Sequence, residues 1–422
     1  MRSTKNSRLT TDPAGNSQLP FLYLALPVMD EPDFLLRLLN CLEAQTYRRF
    51  RLFACVNQPD HWWNDPVKIS ACRNNQAAIR LLFSFTGFEI DVIDRSTKGD
   101  GWTGKKHGVG YARKTVMDRI NLVAGENDVI VSLDADTVFG PGFLESVALN
   151  FYTHADATAL AIPYFHNLTT DPDACRAILR YEIYMRHYFL SLVHIGSPYA
   201  FTALGSAMAL PVWAYRAIGG MTPKLSGEDF YFLQKLRKYG KVLLWNEGVV
   251  YPEARFSDRV FFGTGPAMIK GATGDWESYP VYPDTFFDDI RELYSMIPLI
   301  YGGRVDNRVS KFLAEVFRED DPFQPLRANQ KNLAHFTRAF HEKFDGLRIL
   351  QYLKRAKETD PSTDEENLLK FMQRFYPGPE TEQLIPDKVN FSFTGATVET
   401  LEKIRMFLYR KEMEARFTSE PG

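Results

Sequence analysis

The stretch Val129-Ile130-Val131-Ser132-Leu133-Asp134-Ala135-Asp136 decides the fold. Its first five residues are a nearly unbroken apolar run rich in β-branched side chains. Such a run reads as a strand buried on both faces of a parallel sheet. Asp134 and Asp136 then stand at the carboxyl end of that strand, where open α/β sheets bind ligands in a crevice. Two carboxylates so close repel unless a cation or a sugar hydroxyl lies between them. A hard divalent ion, Mn²⁺ or Mg²⁺, held by one or two carboxylates and a substrate diphosphate, suits that chemistry. Asp-x-Asp alone is common in turns after strands, so the reading depends on the surrounding chain.

Upstream, residues 21–26 form a short apolar run that ends at Pro27 and reads as a first strand. Asp30-Glu31-Pro32-Asp33 opens a helix whose buried face is read as Phe34, Leu38, Cys41 and Leu42. A second strand over 50–56 ends at Asn57, and a third over 89–93 ends at Asp94. Residues 108–120 read as a helix, and Gly140-Pro141-Gly142 starts another that runs to about Tyr152. This alternation predicts a doubly wound parallel sheet. Downstream, strands are expected over 159–162, 206–210, 241–245 and 249–251. A long helix starts at Asp171-Pro172-Asp173 and ends near Gly196. Another covers 228–239, with Gly240 in the position after its end. Tyr279-Pro280-Val281-Tyr282-Pro283 reads as a boundary, and beyond it helical patterns dominate. The expected organisation is a polar tail over 1–19, an α/β domain over 20–278 and a mainly helical module over 279–422.

The bulk numbers exclude some classes. Hydrophobic residues make up 45% and charged residues 24% of the 422 positions, as in ordinary globular proteins. A net charge of -2 speaks against a nucleic-acid partner, which would select a basic face. Cys41, Cys55, Cys72 and Cys175 lack paired metal spacing, and Cys41 and Cys55, within expected core elements, read as reduced packing residues of a cytoplasmic protein. The uncharged stretch 196–215 is interrupted by Pro198, Gly205 and Pro211, so no transmembrane span is expected. Peripheral contact with a membrane stays open. His187 and His194, seven apart on one helix, read as packing residues.

Taken in order, several short segments resemble the inverting, non-processive glycosyltransferases of family 2, which have the GT-A fold. Pro27-Val28-Met29-Asp30-Glu31 and Leu42-Glu43-Ala44-Gln45-Thr46-Tyr47 are similar to that family's first strand and helix. Gly108-Val109-Gly110-Tyr111-Ala112-Arg113 is similar to its Gly-x-x-x-Ala-Arg stretch, and Leu133-Asp134-Ala135-Asp136 to its metal motif. Gly205-Ser206-Ala207-Met208-Ala209-Leu210, Gly219-Gly220 and Glu228-Asp229 resemble its acceptor side. The resemblance implies a Rossmann-like α/β domain with a mixed central sheet that moves a sugar from a nucleotide-sugar donor to an acceptor hydroxyl. The acceptor would be a saccharide, a glycolipid or a small molecule. It implies that Asp136, with Asp134, binds Mn²⁺ or Mg²⁺, which neutralises charge on the departing nucleotide. Pro27, Asp30, Glu31, Asn57, Asp94, Lys105, Arg113 and Asp134 would bind the donor. Asp229 would be the base that takes the acceptor proton, with Glu228 in reserve. Gly205 and Ser206 would face the acceptor.

The chain departs from the family pattern in three places. Asn57 stands where many relatives have an Asp that reads the nucleobase. No His follows Glu228-Asp229 closely enough to act as a further metal ligand. Arg255-Phe256-Ser257-Asp258-Arg259 comes instead, and Arg255 and Arg259 are read as a diphosphate clamp. Trp245 lacks the Gln-x-x-Arg context of processive relatives and is read as an acceptor-stacking residue. Two other readings remain: a nucleotidyltransferase that makes a nucleotide sugar, and a non-catalytic sugar-binding protein on the same fold.

Overall fold

The computed structural model describes residues 19–225, 227–256, 264–385 and 387–419. Most of the expected 1–19 tail, and Arg259, lie outside the described residues. Among the described residues nine strands carry the fold: β1 (Leu22–Val28), β2 (Phe50–Asn57), β3 (Ile90–Arg95), β4 (Val129–Ser132), β5 (Thr137–Phe139), β6 (Ala159–Ala161), β7 (Met208–Pro211), β8 (Val242–Leu243) and β9 (Val250–Pro252). Seven of them form one sheet in the order β3-β2-β1-β4-β7-β6-β8, and β5 pairs with β9. β1 lies parallel between β2 and β4, with Leu22 opposite Phe50 on one side and Val129 on the other. All four β4 residues are buried, as an unbroken apolar run demands.

The sheet is not wholly parallel. β7 runs antiparallel to both β4 and β6, with Ser132 opposite Met208. This reversal brings the chain just before β7 to the same sheet edge as the chain just after β4. Residues 199–206 therefore meet Asp134-Ala135-Asp136.

Among the described residues eight α-helices accompany this sheet: α1 (Pro32–Glu43), α2 (Ile69–Ser84), α3 (Val109–Asn121), α4 (Phe143–Thr153), α5 (Pro172–His194), α6 (Val212–Ala217), α7 (Glu228–Tyr239) and α8 (Thr264–Ala272). α2 had no counterpart in the sequence reading. Its buried face is Ala71, Cys72, Asn75, Ala78, Ile79 and Leu82, too small and polar to stand out as an apolar stripe. β5 and α6 are too short to show a period. The α1 face is also corrected: Leu35, Leu38, Leu39 and Leu42 are buried, while Phe34 is half-exposed. Pro27 lies within β1 rather than ending it. Gly240 follows α7 in an extended conformation, not a left-handed one.

α5 starts as read, with the Asp171 carboxylate accepting from the Asp173 and Ala174 amides and Pro172 in the first turn. It is buried nearly all round, because helices from the far end of the chain cover it. The far end of the chain forms α9 (Asp284–Ser295), α10 (Ile297–Gly302), α11 (Arg308–Phe317), α12 (Gln324–Asn329), α13 (Leu333–Lys343), α14 (Gly346–Lys357), α15 (Asp364–Phe375), α16 (Pro379–Leu384) and α17 (Val398–Thr418), of which α9, α15 and α17 pack against α5. One apolar cluster joins Phe53, Val116 and Leu210 to Phe286, Phe340 and Tyr352. Another joins Leu179 and Ile183 of α5 to Phe371 and Phe407. Tyr279, Val281 and Tyr282 of the expected boundary are buried.

A charged network also ties α5 to α17. Arg186 bridges Glu182 at 2.8 Å and Glu412 at 2.5 Å, and Glu412 accepts from Arg416 Nε at 2.7 Å. Glu182 also holds the ring of His166. Each of these side chains is at most 1% exposed. Arg186, then the His166 ring and Arg405, outweigh the cost of burying Glu182, so its carboxyl is held well below the usual range.

Candidate active site

A cavity of about 610 Å³ opens along the sheet edge where β1, β2 and β4 end, within the usual size range for small-molecule sites. It brings together Pro27, Glu31, Asn57, Arg113, Asp134, Asp136, Gly205, Ser206, Glu228, Asp229 and Arg255 from the expected residues. The crossover order of the sheet places them side by side, although they span more than half of the chain.

Arg113, on α3, is the hub. Its guanidinium is buried and donates to Asp134 Oδ1 at 2.7 Å, Glu228 Oε1 at 3.3 Å, Ser132 Oγ at 2.6 Å and the Gly205 carbonyl at 3.0 Å. Burial lowers the affinity of Arg113 for its proton, but Asp134 and Glu228 outweigh that and raise it. The residue read as a donor contact therefore spends its hydrogen bonds on holding two acids. Gly205 is required by this packing, since a β-carbon there would lie 2.3 Å from Arg113 Nη2.

Glu228 and Asp229 open α7 just after Gly227, whose φ of 69° is left-handed. Glu228 is engaged by Arg113. Asp229 instead accepts the Phe230 amide at 2.8 Å. Burial, and then the neighbouring Glu228 charge, push the Asp229 carboxyl up to about 7, against the pull of the Phe230 amide and Arg113. A carboxyl near neutrality is suited to exchange a proton with a substrate hydroxyl.

On the other flank, Arg255 Nη2 donates to Glu31 at 2.6 Å and to Asp136 at 2.8 Å, with its guanidinium 4.4 Å from the Phe34 ring centre. Burial lowers the proton affinity of Arg255, but Asp136 and Glu31 outweigh this and raise it. Among the described residues the cavity is lined by six carboxylates (Glu31, Asp134, Asp136, Glu228, Asp229, Glu253) and two arginines. The lining is therefore anionic overall, which favours a cation. No cluster of three or more His, Cys, Asp or Glu among the described residues is arranged to hold a metal ion. Asp134 and Asp136 are each held by an arginine, so a hard cation between them would take its other ligands from phosphate and water.

Four expected residues do not line the cavity. Asp30 sits at φ 58° and is tied to α2, its amide donating to Asn75 and its carboxylate accepting from Asn74. Asp94 closes a turn by accepting from the Ser96 and Thr97 amides and hydroxyls. Burial would raise its pKa, but these bonds win and lower it. Lys105 is exposed. Trp245 packs edge-on against Phe417 at 5.3 Å, because α17 covers the end of the sheet beside it. Asn57 does line the cavity, but its amide already donates to the Val28 carbonyl and accepts from Trp102.

The sequence reading missed the opposite wall. Tyr181, Tyr184, Met185 and Tyr188 of α5, Tyr199 and Phe201 before β7, and Leu347 and Leu350 of α14 all line the cavity. The i, i+3, i+7 spacing of the tyrosines was visible, but a helix buried all round gives no stripe that separates cavity from core. His187 packs edge-on against Phe371, and His194 stacks on Phe375.

A mixed sheet with paired acids at the end of a central strand, facing a second acid pair on a helix start, is the arrangement of the GT-A fold. Residues 129–271 match the model of the glycosyl transferase family group 2. That segment carries both acid pairs. No curated protein matches by sequence. Among solved structures, S. aureus TarS in complex with UDP-GlcNAc is similar at 11% identity and a TM-score of 0.41, over 94% of this chain and 92% of that one. Mannosyltransferase PcManGT from Pyrobaculum calidifontis, in complex with GDP-Man and Mn²⁺, is similar at 11% identity and a TM-score of 0.40, over 95% and 88%. Likeness at this level says nothing about donor, acceptor or metal. Among the described residues no helix is long and apolar enough to cross a membrane.

Proposed function

We propose that the protein transfers one sugar, with inversion, from a nucleotide-diphosphate sugar to an acceptor hydroxyl. The observation that carries this reading is the split between the adjacent acids of α7. Arg113 engages Glu228, while Asp229 is left with a raised pKa and faces the cavity. Asp229 removes the acceptor proton as the hydroxyl attacks the anomeric carbon from the face opposite the diphosphate. Glu228 and Asp134, both held by Arg113, fix the approach. Pro27, Glu31 and Asn57 border the nucleotide side, and Ser206 borders the acceptor side.

A diphosphate entering an anionic cavity needs positive charge. Arg255 supplies one, and Asp136 with Asp134 would hold a divalent cation, Mn²⁺ or Mg²⁺, which would neutralise charge on the leaving group. The domain division at 278, and a cytoplasmic location compatible with four free thiols, belong to the same proposal. The test is a thermal-shift series of nucleoside diphosphates with and without Mn²⁺, followed by transfer assays with the matching nucleotide sugars. The expected result is a cation-dependent rise in Tm with one nucleobase. Stabilisation by none of them, or pyrophosphate release with a nucleoside triphosphate and a sugar phosphate, would defeat this reading.

A further inference from the structure

The cavity has two chemically different ends. The acids and both arginines lie on the side of β1, β4 and the start of α7. The other wall carries Tyr181, Tyr184, Tyr188, Tyr199, Phe201, Leu347 and Leu350, with no charged group among them. The three α5 tyrosines form a ladder with ring centres 6.2 Å apart at each step, and Tyr279 packs edge-on to Tyr181 at 5.1 Å and to Tyr184 at 5.6 Å. No hydrogen bond among the described residues takes up the hydroxyls of Tyr181, Tyr184 or Tyr188. The wall is thus an apolar surface with a few polar tips.

α14 completes this wall and is coupled to the helix that carries Asp229. Gln234 of α7 accepts from the Leu347 amide at 2.9 Å and donates to Asp345 at 3.1 Å. Tyr199 reaches the His341 carbonyl at 2.7 Å. Gly346 packs so closely that a β-carbon would lie 3.0 Å from Gln234 and 3.4 Å from Tyr199. Leu347 and Leu350 are only half-buried, so their apolar faces stay available to a ligand.

We infer that this wall is the acceptor subsite, and that the acceptor is an uncharged amphiphile: an apolar body that presents a hydroxyl to Asp229. The inference rests on the transferase reading for the role of Asp229. None of the residues that line this wall carries a charge, so desolvating a charged acceptor against it would be costly. An apolar body gains from burial against the aromatic and leucine side chains. The helical end of the chain thereby acquires a role in substrate selection.

The test uses the full chain and hexyl, heptyl and octyl β-glucopyranosides below their micelle-forming concentrations, with binding followed by calorimetry. Affinity is expected to rise roughly fourfold per added methylene in the wild type, and this gain is expected to shrink in Leu350→Gln and in Leu347→Gln. Affinity independent of chain length, a gain unchanged in both variants, or equal binding of an unsubstituted glucose oligomer overturns the inference. If a variant fails to fold, the wild-type series decides alone. The nucleoside diphosphate series separates the two claims. Nucleotide binding without chain-length dependence sinks the acceptor assignment and spares the transferase. Chain-length dependence without nucleotide binding keeps an amphiphile-binding wall but sinks the transferase and, with it, the acceptor role.

Discussion

Asp229 and Glu228 are neighbours in sequence, yet they face different partners. Arg113 lies against one, and the first turn of α7 against the other. Asp229→Asn is expected to lower transfer on the order of a hundredfold to ten-thousandfold while nucleoside diphosphate affinity stays within about twofold. Steady-state transfer and equilibrium binding of that variant check this. Because Asp229 must be ionised to act, the wild-type rate is expected to climb with pH and level off above about 7. A profile flat from about pH 5 to 8 removes it as the base. Arg113→Met leaves Glu228 buried without its countercharge, and urea unfolding is expected to show a loss of about 3–5 kcal/mol. The acids and Arg113 were legible in the sequence as types at the right spacing. That Arg113 engages two acids of the protein was not legible, since its partners come from β4, the 199–206 segment and α7.

At the scale of the element, α5 joins the two halves of the chain. His187 sits in its middle, fully buried, and burial pushes its pKa down to about 3. The unfolded chain binds that proton below about pH 6.5 and the native state does not, so His187 makes stability fall as pH drops below about 6.5. At about pH 5 the loss is roughly 2 kcal/mol. Asp229 has the opposite sign: its raised pKa makes the native state gain as pH falls from about 7 towards about 4. Only a comparison isolates the histidine. His187→Leu is expected to lose less stability than wild type between about pH 6.5 and 5 in denaturant titrations; equal losses would place the acid sensitivity elsewhere. The start of α5 was readable from Asp171 and Pro172. Its burial on all sides was not, because the covering helices lie more than a hundred residues downstream.

At the scale of the whole molecule, residues 279–422 are built onto the transferase domain through shared apolar clusters and the Arg186–Glu412–Arg416 network. A chain ending at 278 would expose Phe53-side and α5 apolar surface together with Arg186 and Glu182. It is expected to aggregate or to show a cooperative transition far below that of the full chain, as scanning calorimetry and light scattering would reveal. A soluble fragment of unchanged Tm would make the helical module separable. The sequence by itself determined the sheet's buried strands, the long α5, the acid pairs and the class of chemistry. These signals are local: apolar runs, caps and residue types at short spacing report what a few neighbouring residues do. Only the tertiary structure decided that β7 runs antiparallel, that Arg113 engages two acids, that Trp245 faces α17 and that α14 walls the cavity. Those outcomes depend on which distant segments pack together, and burial and countercharge exist only once they have met.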